Sequence, residues 1–200
     1  MWAKEVKKMK IEKRSIVSEM TVEDEKRTIV GYAVKWNELS EQLGFFREKF
    51  SKGAFKDSLL DKQQMALWNH NTDVVLGSTR NQTLRLSEDE LGLRFEIDLA
   101  NTTQANDIYE LVKRGDINGV SFGFYAELED WEDRSDTAVR TINRADLIEI
   151  SPTPFPAYSQ SEVNVRSLEE RYQEFKKKSE EEDKNNEWIT NFRKKINGGI

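Results

Sequence analysis

The chain has no cysteine and a single histidine, His70, among its 200 residues. The first lack excludes disulfides, thiol nucleophiles and zinc–thiolate centres, and it fits a reducing compartment. The second excludes HExxH-type zinc sites, which need more than one imidazole. No apolar run is long enough to span a bilayer. Proline occurs three times, at Pro152, Pro154 and Pro156, all in one short stretch. No Walker-type or dinucleotide-type glycine loop appears, and no GxSxG elbow, which argues against phosphate-loop enzymes and α/β-hydrolases. Residues 1–13 are basic and broken by polar side chains, so they do not read as a secretory signal. No cofactor and no metal are expected.

What is present is charge. Charged residues make up 34% and hydrophobic residues 36% of the chain, which is polar for one packed domain. Residues 1–15 carry six Lys or Arg against two Asp or Glu, and residues 167–200 carry eight of each. The stretch between them has a net charge of −10. Such a body repels a phosphate backbone, so nucleic acid is not an expected partner, and without a spanning apolar run neither is a membrane. The division that follows is a basic arm over 1–14, a folded domain over 15–166 and a charged helical tail over 167–200.

Most of the central stretch reads as strand. Thr28–Trp36 is rich in β-branched and aromatic residues. Phe45, Phe46 and Phe50 lead to a turn at Ser51–Phe55 and a short helix through Leu60. Met65–Trp68 is an apolar strand ending at Asn69-His70-Asn71, with Asp73–Gly77 as its continuation. Leu84–Leu99 alternates as a hairpin about a turn at Ser87–Glu90. Residues 102–114 form the clearest helix, with a Thr102 or Thr103 cap, an apolar face at Ala105, Ile108, Leu111 and Val112, and Gly115 as its stop. Val120–Tyr125 alternates, a hairpin follows over 126–131 and 138–143, and Leu147–Ile150 is a last strand. Antiparallel hairpins without alternating helices predict an α+β, mainly β protein, read as a closed β-barrel flanked by helices. In the tail, Ser167-Leu-Glu-Glu170 has the form of a capping box. A charged linker follows, then a short amphipathic segment with Trp188, Ile189, Phe192 and Ile196.

Two residues stand out chemically. His70 ends an apolar strand, where a side chain can reach a pocket rim; a lone histidine is more often structural. Ser121 lies in Asn118-Gly-Val-Ser-Phe-Gly-Phe124, and the flanking glycines would leave backbone N–H groups free for an oxyanion hole. A serine needs a base to become a nucleophile, and His70 is the sole imidazole. The competing reading is a turn serine bonded to its own backbone. A third member must orient the imidazole. Glu149 is the first choice if it shares the core-facing side of Leu147; if Ile148 and Ile150 face the core instead, it lies in water. Asp146, Asp73 and a dyad with water stay open.

With those residues in view, the sequence resembles the prohead proteases of tailed phages, relatives of the herpesvirus assemblins. The resemblance rests on five segments in order: Gly31-Tyr-Ala-Val34 with Trp36 and Asn37, Glu48–Phe55, Trp68-Asn-His70, Gly119–Phe124, and Leu147–Pro152 leading to Pro154–Ala157. It covers about residues 13–166. It implies an assemblin-like barrel, a homodimer, and serine-type cleavage of capsid scaffold or coat precursor inside the immature shell in the host cytoplasm. It carries the catalytic histidine and serine onto His70 and Ser121, and the third position onto Glu149. In the herpesvirus branch that third member is a histidine, which this chain lacks. The resemblance also implies self-cleavage of the tail. The competing function is a non-enzymatic capsid-assembly protein on the same fold.

Overall fold

The computed structural model describes residues 10–18, 20–23, 25–134, 136–156 and 162–197. The chain divides into two compact units, residues 1–160 and 161–200. Among the described residues of the first, ten strands and two helices follow one another. They are β1 (Glu12–Val17), β2 (Thr21–Glu23), β3 (Thr28–Lys35), β4 (Phe46–Phe50), α1 (Lys56–Asp61), β5 (Met65–Trp68), β6 (Asn71–Ser78), β7 (Leu84–Glu88), β8 (Gly92–Asp98), α2 (Thr103–Lys113), β9 (Gly119–Asp133) and β10 (Ala138–Thr153).

The strands form two sheets. One runs β1-β9-β10-β5-β6, with β4 also paired to β10; the other runs β2-β3-β8-β7. The α+β, mainly β character is as expected, but the closed barrel is not found. Closure needs a continuous ladder around the ring. Among the described residues no ladder joins the two sheets, and β1, β6, β2 and β7 remain edges. Alternation reports which face of a strand is buried, not whether the last strand meets the first.

β9 and β10 organise the larger sheet. The sequence suggested several short strands here, yet the chain makes one long antiparallel hairpin with bulges at Arg144 and between Leu147 and Glu149. β4 and β5 each add in parallel to a different part of β10. α2 forms where expected: the Thr102 hydroxyl accepts the Ala105 N–H at 3.3 Å, and Gly115 takes a left-handed φ of 82° just past the end. Ala105, Ile108, Tyr109 and Val112 turn inward. The β7–β8 turn falls at Asp89–Leu91, later than predicted. There the Asp89 carboxylate accepts the N–H groups of Leu91 and Gly92 at 2.8 and 3.0 Å, the local bonding that favours aspartate in turns.

One apolar core draws on both sheets and on α2. Its centre is a group of phenylalanines, Phe50, Phe55, Phe122 and Phe124, with ring centroids 5.2–6.2 Å apart. Truncating any one of them would cost about 3–5 kcal/mol. This rigid face of β9 fixes what the opposite face presents.

The second unit is the helix α3 (Glu162–Asn197). It runs without interruption through the segment expected as a linker, so Ser167 lies inside the helix rather than capping it. Gly198 and Gly199 lie outside the described residues, as does most of the basic N-terminal arm. No helix among the described residues is long and apolar enough to cross a membrane.

Candidate active site

His70 sits in a two-residue hairpin turn. Trp68 of β5 pairs with Asn71 of β6, and between them Asn69 and His70 have φ of 48° and 61°. Two left-handed residues match the right-handed twist of the strands they join, which is why tight hairpins use them. β6 therefore returns antiparallel to β5 instead of continuing it. A non-glycine residue held left-handed costs on the order of 1–2 kcal/mol, and the turn is secured against that cost. Asn69 N–H donates to the Pro152 carbonyl at 3.1 Å, His70 N–H to the Ser151 hydroxyl at 3.0 Å, and the Thr153 hydroxyl to Asn69 Oδ1 at 2.9 Å.

Ser121 is the third residue of β9. Val120, Phe122 and Phe124 fill the core, so strand alternation sends Ser121 to the other face. The residue is paired on both sides, with Ser15 of β1 and Ser151 of β10. Its glycine neighbours have a different reason from the expected one. They do not open β9 for an oxyanion hole, since the ladder is occupied on both sides. They make room for the protein itself: a Cβ on Gly119 would lie 2.8 Å from the Pro156 ring, and one on Gly123 2.7 Å from Glu149 Oε1.

Glu149 reaches the same face through a bulge. Phe124 pairs with Leu147 and Gly123 with Glu149, so Ile148 is the extra residue. The bulge resets the alternation, and both Leu147 and Ile150 are fully buried in the core. Glu149 thus neither shares the side of Leu147 nor lies in water; it is 7% exposed and faces the turn.

These three side chains form one hydrogen-bonded chain. Glu149 Oε1 is 2.6 Å from His70 Nδ1, and His70 Nε2 is 2.6 Å from Ser121 Oγ. An ionised carboxylate only accepts, so it fixes the imidazole proton on Nδ1 and leaves the Nε2 lone pair aimed at Ser121. The Ser121 hydroxyl has a second acceptor, the Arg14 carbonyl at 2.9 Å. With one proton, it serves either His70 or Arg14 at a time. When Nε2 carries a proton it donates to Oγ, and the hydroxyl turns to Arg14. The reserve carboxylates lie elsewhere: Asp146 accepts from Ser58 at 3.1 Å and pairs with Lys62 at 2.8 Å, and Asp73 is exposed.

Two contributors do not stand out in the sequence. Ser151, fully buried, donates to Glu149 Oε2 at 2.6 Å. Its signal was its place two residues after Glu149, on the same face of a strand. The other is β1, which opens at Glu12 and lays the Arg14 carbonyl on Ser121. Its alternation was masked because its inward residues, Glu12 and Arg14, are charged. They join Glu48, Glu129 and Arg140 in a buried ionic cluster, with Arg14 2.8 Å from Glu48 and Arg140 2.6 Å from Glu48. Burial works against the Arg140 charge, but Glu48, Glu12 and Glu129 outweigh it and raise the pKa above its ordinary value.

A family model described as caudovirus prohead serine protease matches residues 13–178. The chain belongs to that family of serine proteases from phage proheads. No curated protein and no solved structure matches it.

Proposed function

We propose that the protein is a capsid-maturation endopeptidase in which Ser121 is the nucleophile, His70 its general base and Glu149 the group that orients His70. The observation carrying this reading is the pair of 2.6 Å contacts on the two ring nitrogens of His70. A base within hydrogen-bond reach of a hydroxyl, itself held by a third group, is the arrangement that activates serine.

His70 Nε2 takes the Ser121 proton as Oγ attacks the carbonyl carbon of a substrate peptide. The tetrahedral adduct collapses with cleavage of the C–N bond, and the imidazolium returns the proton to the leaving amine. Water, deprotonated by the same imidazole, then splits the Ser121 ester and restores both groups. Glu149 stabilises the imidazolium through both steps without taking a proton. The substrates are the coat precursor and the scaffold inside the immature shell, and the working form is a homodimer. The helical tail docks on one of these partners and is removed by self-cleavage.

Co-expression with the coat precursor, read by intact mass, tests this. Defined fragments with the wild type and an intact precursor with Ser121→Ala are expected. Uncut precursor in both, with shells still forming, would instead favour a non-enzymatic assembly role.

A further inference from the structure

Ser151 stands directly across from Ser121 in the β9–β10 ladder. It is fully buried, and both sides of its hydroxyl are committed. Its proton goes to Glu149 Oε2 at 2.6 Å, and its oxygen accepts the His70 backbone N–H at 3.0 Å. One side chain therefore grips the carboxylate that orients the imidazole and also the strained residue that carries it.

We infer that Ser151 is a positioning residue for the reaction, fixing Glu149 and His70 relative to each other. The inference rests on the serine-protease reading above. Glu149 is otherwise free to rotate about its terminal torsion, which has no sharp staggered wells. With Oε2 held by Ser151, Oε1 alone is presented to Nδ1. The His70 N–H has a comparable need. In a left-handed turn that amide points away from the hairpin ladder, and Ser151 supplies its acceptor at a partly buried position, where leaving a donor unmet costs at most about 1–3 kcal/mol. Thr153, two residues further along the same face, clips Asn69 and not the imidazole. It secures the turn without touching Glu149.

The chain has one histidine, so the imidazole N–H resonance can be assigned without ambiguity in the intact protein. Wild type should show a low-field Nδ1 proton shielded from solvent exchange. Ser151→Ala should shift or abolish it and slow precursor cleavage about 10- to 100-fold, the scale expected when a reacting group is misplaced by a fraction of an ångström to 1 Å. Ser151→Thr, which keeps the hydroxyl, should restore both. Thr153→Val should weaken the fold yet leave the resonance in place, which separates positioning from general destabilisation. If Ser151→Ala does not fold, Ser151→Cys, similar in size with a weaker donor, is judged by the same two readouts. Either readout remaining at its wild-type value in the folded variant overturns the inference. If the wild type itself cuts no precursor, the protease reading fails. The Nδ1 resonance then decides by itself whether Ser151 positions His70.

Discussion

Glu149 Oε1 occupies the space into which a side chain on Gly123 would project: a Cβ there would lie 2.7 Å from the carboxylate oxygen. The Glu149 carboxylate must pass over β9 to reach His70, and only a residue without a Cβ leaves that path open. Gly123→Ala should therefore displace Glu149, destabilise the fold by about 1–3 kcal/mol as overpacking does, and abolish cleavage. Adding Glu149→Ala removes the clash. The double variant should then melt higher than the sum of the two single effects predicts, because residues in contact do not add. Strict additivity in thermal melts would argue against the clash.

Glu149→Gln tests the proton assignment. The amide fits the same space, but its NH2 can donate to Nδ1, which moves the imidazole proton to Nε2, facing Ser121. The proposed base, His70, would then point a proton instead of a lone pair at the proposed nucleophile, Ser121. Cleavage should fall by about 10⁴-fold, the loss seen when a triad histidine is held in the wrong tautomer. Thermal stability should change little. A variant retaining a tenth or more of wild-type activity would remove Glu149 from the mechanism.

Arg140 is fully buried among Glu12, Glu48 and Glu129. Removing one member of such a cluster strands the others as uncompensated charges, at a cost of about 3–5 kcal/mol. Arg140→Met should show that loss in denaturant unfolding. Because Glu12 belongs to β1, hydrogen exchange should rise first along Glu12–Val17. A loss below about 1 kcal/mol, or exchange unchanged in β1, would mean that the cluster does not hold this strand.

The smaller sheet carries a pH-dependent contact. Hydrogen bonding from Arg85 holds the Asp98 carboxyl below its ordinary value of 3.8, against the opposing effect of burial, with help from the Thr28 hydroxyl at 2.7 Å. A carboxyl lowered in the folded state contributes stability above its unfolded pKa. That contribution is lost as pH falls through the folded value. Asp98→Asn should therefore lower the melting temperature slightly at neutral pH and converge with wild type below pH 3.8. The side chain is 35% exposed, so the effect should stay below about 1 kcal/mol after solvent screening. A difference that grows on acidification would have the wrong sign.

The sequence conveyed element types better than their connections. The α2 helix was readable because its cap, apolar face and glycine stop agree with one another. Met65–Trp68 was readable from its apolar run. The hairpin return at Asn69-His70 was not, since neither residue is the glycine that usually marks a left-handed turn. β1 was hidden because a strand whose inward side chains are Glu12 and Arg14 has no apolar alternation, and its partners lie far along the chain. At the site, Ser121, His70 and Glu149 were all named from the sequence and come together in space. The route of Glu149 was not foreseen, because a bulge at Ile148 changes the facing of everything after it. Ser151 has one local signal, its place two residues after Glu149, but its contact with the His70 backbone is set by the ladder and not by the local sequence.

The central claim is that one hydroxyl in the row Ser15–Ser121–Ser151 does the cutting. Alanine should replace each in turn, in full-length protein co-expressed with the coat precursor, and the products should be weighed intact. The account predicts wild-type fragments with Ser15→Ala, the same fragments in smaller yield with Ser151→Ala, and none with Ser121→Ala. Fragments that persist undiminished with Ser121→Ala would contradict it.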